Sequence, residues 1–375
     1  MKLHYSQDNA LKTLRRETVS RRRLPVNLAQ ENLDLFSHEL EKVIPETRLL
    51  ALSDVRVSSE GILFRGYKML SESFAFPSNM EQWKRKSRLK FFVNNYVLKR
   101  SRTIEGDVLW IVDDWSNGYF HWLTDVLTRL YVMRDRLDDF VLMLPRDYEA
   151  LDFVQPSLRS FGVKTVEFIR QNEVLRCRRI FMPTHTAPSG HYNEEIIRGV
   201  RSVLLQAYGD PAYRGEGERI YISRGRAPKR RILNEAAVLD VLTEFGFQTI
   251  YAEDLPFEQQ VKTCSRARYL VSNHGAGLTN MLFMPQGGSL LELRHHTDRI
   301  NNCYFTLSSA LDLNYFYQTC QAGTGSQDPH AADIVADLGT LRENLKLLLQ
   351  SQPAPGNHHQ HDVKTPLIPV DEREV

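Results

Sequence analysis

From Asp107 onward, short apolar runs alternate with amphipathic segments, and this alternation narrows the fold more than any other feature of the 375-residue chain. Residues 108–112, 140–144, 165–169 and 180–182 are rich in branched or aromatic side chains and read as strands. Between them, residues 119–133 and 148–161 read as helices, the second closed by Gly162. Parallel strands need crossovers of this length, so the pattern predicts a parallel sheet with helices on its faces.

The stretch 208–218 (YGDPAYRGEGE) gathers Gly, Pro and charge and is the candidate linker. After it the alternation resumes. There is a strand at 220–223, a helix from Asn234 as N-cap to Phe245 with Gly246 as its stop, a strand at 247–251, a helix at 257–264 and a strand at 269–271. The expectation is therefore α/β, with two Rossmann-like domains over 46–207 and 219–325. Residues 1–45 read as an N-terminal extension holding one helix. Residues 326–375 read as a helix at 334–349 followed by a disordered tail from Ser351, whose His358, His359 and His361 are a weak metal candidate.

Residues 273–285, NHGAGLTNMLFMP, follow the run 269–271 directly and have the composition of a phosphate-binding turn. Gly275 and Gly277 can take positive φ and carry no Cβ, which lets amide N–H groups come close to an anion across Gly275, Ala276 and Gly277. A helix starting near Leu278 would aim its free N–H groups at the same spot, with Thr279 and Asn280 adding side-chain hydrogen bonds. A solvent-facing His274 would donate to a phosphate oxygen. Glu292, taken as the end of a second apolar run at 289–291, would accept from ribose hydroxyls. The alternative is a strand-to-helix turn that needs small residues and binds nothing.

HGAGLTNMLFMP followed by GSLLEL resembles the signature of glycosyltransferase family 61, which includes plant xylan-decorating transferases, animal O-linked N-acetylglucosamine transferases and bacterial capsule-associated proteins. The resemblance runs over about 107–292 and takes in further ordered blocks at 117–130 (NGYFHWLTDVLTRL), 221–235 (YISRGRAPKRRILNE) and 253–259 (EDLPFEQ). It implies the GT-B architecture, two Rossmann-like domains facing each other across a cleft, with 46–207 as acceptor domain and 219–325 as nucleotide-sugar domain. It also implies an inverting transfer from a nucleotide sugar, UDP-linked by analogy with relatives and GDP as the other choice. The acceptor would be a glycan, a lipid-linked glycan or another cell-surface carbohydrate, as in bacterial capsule synthesis.

Direct displacement needs a base for the acceptor hydroxyl and positive charge for the departing diphosphate. In the helix after Val112, Tyr119, Trp122, Leu123, Val126, Leu127 and Leu130 form a buried stripe, while His121 and Asp125, four apart, share a neighbouring face. Asp125 is the favoured base and His121 its rival. The structural alternative pairs Asp125 with Arg129 and makes His121 a core histidine. Arg224 and Arg231 match the resemblance best and are assigned to the leaving group, a task suited to the guanidinium fork, leaving Arg226, Lys229 and Arg230 as surface charge. Within 255–259, Phe257, Glu258 and Gln259 read as a helix start rather than a base-binding site.

No metal is expected. The chain has no D-x-D, the adjacent pairs Asp113–Asp114 and Asp138–Asp139 diverge, and His295 and His296 lack a third ligand. The only cofactor-like molecule would be the nucleotide sugar as co-substrate. A net charge of +2 gives no reason to expect nucleic acid. The basic clusters at 15–23 and 84–90 read as solvated faces, with contact to an anionic membrane as the lesser option. Cys177, Cys264, Cys303 and Cys320 are widely spaced and read as buried thiols of a reducing compartment. The first residues lack the apolar core of a signal peptide, so the expected location is cytoplasmic, with the inner face of the membrane as a working place. Two other classes compete: a serine hydrolase, disfavoured because no G-x-S-x-G is present, and a catalytically inactive nucleotide-sugar-binding scaffold of a polysaccharide assembly system.

Overall fold

The computed structural model describes residues 10–210, 218–323 and 328–351, so 211–217 of the expected linker and the histidines of the C-terminal tail lie outside it. The chain is mixed α/β and is built on a nine-stranded and a six-stranded sheet, with a two-stranded ribbon beside them.

In the six-stranded sheet the strands lie in the order Gln248–Ile250, Glu218–Ile222, Ala267–Asn273, Ser289–His295, Asn314–Ala322, all parallel, and the short Ile334–Val335 is added antiparallel. Counted along the chain this is 2-1-3-4-5. The direction in which strands are added therefore reverses between Glu218–Ile222 and Ala267–Asn273. In open α/β sheets, ligands bind beyond the carboxyl ends of the strands at such a reversal. Glu235–Glu244 and Phe257–Cys264 are helices, as the spacing predicts. Gly246 at φ +74° stops the first of them, as Gly162 at φ +79° ends the helix Val154–Ser160. Asn234 does not cap its helix. Its side-chain amide and oxygen pair with the backbone of Ala336 and tie the helix start to the segment just ahead of the helix Leu338–Gln350.

The other sheet departs from the expected parallel form. Val166–Ile169, Val141–Pro145, Val108–Leu109 and Glu173–Pro183 are parallel neighbours in that order, 3-2-1-4 along the chain. Thr47–Ser58 then runs antiparallel to Glu173–Pro183 and continues into Leu63–Arg65 and Lys68–Met69. The N-terminal extension is woven in. Ala10–Arg15 pairs with Thr47–Ser58, Val26 N–H donates to Tyr315 O, and Asn302 Nδ2 donates to Leu35 O. Arg22, expected on a solvated face, is buried, with its guanidinium ion-paired with Glu39 at 2.9 Å and 3.2 Å from His191 Nδ1.

The segment 334–349 is not one helix: it begins as the strand Ile334–Val335, and the helix Leu338–Gln350 starts at Asp337, whose side chain accepts from Thr340 N–H at 2.7 Å. Leu341, Leu345 and Leu348 pack with Val271, Leu291, Leu293 and Phe316 on the six-stranded sheet. Each buried leucine stabilises this docking by roughly 1.5–3 kcal/mol. Cys177, Cys264 and Cys320 are buried and Cys303 is half-buried, all as free thiols. Among the described residues, no helix is long and apolar enough to cross a membrane.

Candidate active site

The nine-stranded sheet has its own reversal, between Val108–Leu109 and Glu173–Pro183. The loops leaving these two strands carry one half of the site. The first leads into a helix that is α-helical at Tyr119–His121 and Leu127–Tyr131 but widens to a π-turn at Trp122–Val126. Thr124 and Thr128 contribute to the widening, because their hydroxyls bond back to Phe120 O at 2.8 Å and Thr124 O at 3.0 Å. The altered register turns Arg129 away from Asp125. Its Nε donates to Pro183 O, and its guanidinium lies 3.6 Å from Asp113.

Asp125 is instead the partner of His121, with Nδ1 2.8 Å from Oδ2. Ser189, from the second loop, donates to the same Oδ2 at 2.9 Å, while Thr124 reaches Oδ1 at 3.3 Å. Oδ2 is therefore engaged twice inside the protein, while the Thr124 hydroxyl near Oδ1 is shared with Phe120 O. The His121 side chain keeps 21% of its surface exposed, against 9% for Asp125. Burial alone would lower the His121 pKa, but the hydrogen bond and charge of Asp125, with Asp113 and Asp114 behind, raise it above the ordinary value. The atom left to meet a ligand is the imidazole Nε2.

Asp113 fastens the loop ahead of this helix. It accepts from Trp115 N–H and Ser116 Oγ at 3.0 Å and sits 2.8 Å from His185 Nε2. Burial would raise its pKa, yet His185, Arg129 and the Trp115 N–H hold it well below the usual carboxylate range. Asp114 faces the other way and accepts from Ala75 N–H and Asn79 Nδ2. The pair thus diverges, as the sequence predicts. Among the described residues no His, Cys, Asp or Glu group is arranged to hold a metal.

The other half of the site stands at the reversal in the six-stranded sheet. The strand expected at 269–271 extends over Ala267–Asn273, and Gly275 and a 3₁₀-helix, Ala276–Phe283, follow. The glycines are needed for room rather than for positive φ. Gly275 is extended at φ 164°, and a Cβ there would lie 2.4 Å from Arg224 Nη1. A Cβ on Gly277 would meet Ile222 Cγ2 at 3.0 Å. The Arg224 guanidinium therefore lies directly over the glycine turn.

The arginines are sorted differently from the sequence expectation. Arg231 points away, bound to Asp333 through its backbone N–H at 2.8 Å and its guanidinium at 2.9 Å. Arg226 pairs with Asp254 and covers the Tyr251 ring. Arg230, expected as surface charge, is the residue turned toward Arg224. It adopts φ +58°, its carbonyl accepts from Asn273 Nδ2, and its charge, after burial, lowers the Arg224 pKa. Among the described residues neither Arg224 nor Arg230 has a carboxylate partner, and the buried Nε of each lacks a hydrogen-bond acceptor. The sequence offered one signal for this, a run of cations at a strand's carboxyl end, but not which of them would find an acid.

Three further expectations change. His274 is buried, not solvent-facing, with Nδ1 2.5 Å from Glu292 Oε1 and Nε2 3.0 Å from Asn301 Nδ2. Glu292 lies within the strand Ser289–His295 rather than at its end and is 1% exposed, and its other oxygen accepts from Tyr315 OH at 2.5 Å. Burial would raise its pKa, but His274, Arg294 and Tyr315 outweigh this and lower it. Asn280 is spent on structure, accepting from Tyr119 OH at 2.7 Å and donating to Gln260 and Gly277, while Thr279 is fully buried beside it.

The two halves adjoin. Tyr119 reaches Asn280, and Phe120, next to His121, packs its ring 5.7 Å from Tyr304, which lies 5.0 Å from His274. Tyr304 and Ser189 lie outside every motif block, so only the fold reveals them.

Among the described residues, then, two arginines without an ion-paired carboxylate, one of them over the glycine turn, stand in the half of the site that adjoins the half holding the carboxylate-bound imidazole. Residues 119–291 match the Glycosyltransferase 61 family. The match begins at the first residue of the His121 helix and ends one residue before Glu292. A stretch of 138 residues is 32% identical to the EGF domain-specific O-linked N-acetylglucosamine transferase of Drosophila melanogaster, covering 33% of this chain and 26% of that protein. A shorter stretch of 80 residues is 40% identical to protein O-linked-mannose β-1,4-N-acetylglucosaminyltransferase 2 of Mus musculus, covering 20% and 14%. A longer one of 210 residues is 27% identical to a β-1,2-xylosyltransferase of Oryza sativa subsp. japonica, covering 50% and 36%. The matched stretches thus span between about a seventh and about a third of these relatives. All three come from eukaryotes, so the matches support the glycosyltransferase family and not its bacterial capsule branch.

Proposed function

We propose that this protein moves a sugar from a nucleoside-diphosphate donor to a hydroxyl of a glycan acceptor, with inversion at the anomeric carbon. The observation that carries this reading is the pair Arg224 and Arg230, two half-buried guanidiniums without a carboxylate partner in an ion pair among the described residues, Arg224 lying over Gly275 at the strand-order reversal and Arg230 close enough for its charge to act on Arg224. Two such cations suit a diphosphate, which accepts bidentate hydrogen bonds from each fork and gains charge as it leaves. The backbone of Gly275, Ala276 and Gly277 lies at the start of the 3₁₀-helix and adds N–H donors. His274, held by Glu292, whose other oxygen accepts from Tyr315, lies next to Gly275 in the chain.

His121 is the better base of the two, because its side chain is the more exposed and Asp125 Oδ2, which meets His121 Nδ1 and Ser189 Oγ, serves to orient the imidazole. In the transfer, His121 Nε2 takes the proton of the acceptor hydroxyl as its oxygen attacks the anomeric carbon. The bond from that carbon to the diphosphate breaks with its electron pair on the leaving oxygen, and Arg224 and Arg230 neutralise it. Charge supplied by arginines in this way gives a metal-independent route, and UDP is the expected carrier. The two α/β units contributing to one site support a GT-B arrangement with the acceptor on the His121 side.

The test is a thermal-shift panel of nucleotides and nucleotide sugars followed by donor hydrolysis, which needs no acceptor. Selective stabilisation by one nucleotide, with hydrolysis of its sugar conjugate lost in His121→Ala but binding retained, is the expected result. Binding with no hydrolysis and no transfer would make the protein an inactive nucleotide-sugar scaffold.

A further inference from the structure

Trp115 is 40% exposed, whereas Trp110 and Trp122, close to it in the chain, are fully buried. An indole left in solvent keeps a large apolar face uncovered, and this one is not loose. The turn that bears it is fastened from both sides: Trp115 N–H donates to Asp113 Oδ1, Gly118 N–H donates to Trp115 O, and Asp114 next door is bound by Ala75 and Asn79. Its ring is held edgewise between Phe76 at 4.6 Å and His121 at 5.1 Å, both inclined by 61°. An indole with 40% of its surface in solvent is therefore fixed with its ring 5.1 Å from the centre of the imidazole proposed to take the acceptor proton.

We infer that Trp115 is the floor of an acceptor subsite that takes a pyranose ring of a glycan, stacked on the indole so that one of its hydroxyls reaches His121. The inference rests on the transferase reading for its reaction but on Trp115 for its ligand class. The face of an indole is electron-rich, and the axial C–H bonds of a pyranose carry partial positive charge, while the sugar hydroxyls at the ring's edge remain free for polar contacts. A peptide would have to use a proline or aromatic side chain on the same face, and titration with a bare peptide beside the saccharides separates the two ligand classes. Trp115 leaves a loop of the nine-stranded sheet and the cations Arg224 and Arg230 leave loops of the six-stranded one, so the sugar on the indole is the acceptor's and not the donor's.

The experiment is a ligand-observed NMR titration of the full chain with methyl α-mannopyranoside, xylotetraose and methyl β-N-acetylglucosaminide, beside an unglycosylated EGF-like peptide. Nucleotide-dependent thermal stabilisation is followed in parallel for wild type, Trp115→Ala and Trp115→Phe. At least one saccharide should bind wild type, lose tenfold or more in affinity in Trp115→Ala and recover part of it in Trp115→Phe, which keeps an aromatic face. Nucleotide stabilisation should persist in both variants and report that they fold. Equal saccharide affinity in wild type and Trp115→Ala overturns the inference, as does binding of the bare peptide alone or of no saccharide at all. Saccharide binding that depends on Trp115, with no nucleotide stabilisation in wild type, would remove the transferase reading and leave the subsite standing.

Discussion

His121 must be neutral to accept a proton, and its neighbours Asp125, Asp113 and Asp114 hold its pKa above the ordinary value against the effect of burial. A base with a raised pKa becomes active only as pH rises through it. The ascending limb of kcat/KM should therefore have its midpoint above about 6.5, the unperturbed histidine value. In Asp125→Asn the anion is gone, so the limb should move to lower pH while kcat falls; an unmoved limb in that variant removes Asp125 from its role as partner. Gly275 gives a second prediction at this scale. Alanine there brings a Cβ to 2.4 Å from Arg224 Nη1, and the long arginine side chain can swing aside. Stability measured by chemical unfolding should stay within about 0.5 kcal/mol of wild type, as for substitutions that disturb no core. Nucleotide affinity should fall by about tenfold or more, the loss of one charge-assisted bond. Wild-type affinity in Gly275→Ala would mean that Arg224 is not needed where it lies.

Elements were legible in the sequence where one physical signal dominated. Phe257–Cys264 matches its expectation residue for residue because Pro256 sets the helix start and an apolar stripe follows. Four strands of the six-stranded sheet were legible because a parallel, doubly covered strand is a continuous apolar run, whereas Asn314–Ala322, with its polar Gln318, Thr319 and Gln321, was not anticipated. Two expectations failed for stated reasons. Residues 334–349 read as a single helix, since Ile334 and Val335 suit either period, but pairing with Gln321 and Ala322 makes them a strand. Glu292 read as a strand end because the apolar run stops there, whereas the strand continues to His295 around a buried His274–Glu292–Tyr315 chain. A charge inside a strand is invisible to patterning when its partners come from elsewhere in the chain. The C-terminal helix belongs to the six-stranded sheet rather than to the tail. Leu345→Ala should therefore cost about 2–5 kcal/mol in urea unfolding, and a loss under about 1 kcal/mol, typical of surface changes, would contradict that packing.

Across the whole molecule, the alternation from Asp107 predicted parallel sheets, and both sheets contain a parallel block with a reversal of strand order. What could not be read was the antiparallel edge built from Thr47–Ser58 and the N-terminal strand, because pairing between strands far apart in sequence leaves no local period. The same limit applied to the site. The glycine turn and the His121 helix announced themselves by spacing, whereas the choice among the arginines depended on Asp254 and Asp333, which arrive from distant loops. Diphosphate binding is assigned by proposal to Arg224 and Arg230, which have no ion-paired carboxylate among the described residues. It is tested most directly by the affinity of UDP, and of GDP in parallel, for wild type, Arg224→Ala, Arg230→Ala and Arg231→Ala. The account predicts a loss of about tenfold or more for each of the first two variants, from charge-assisted bonds of about 1.5–3 kcal/mol, and an Arg231→Ala protein that binds as wild type does. Equal affinity in wild type and Arg230→Ala, or a loss confined to Arg231→Ala, would contradict it.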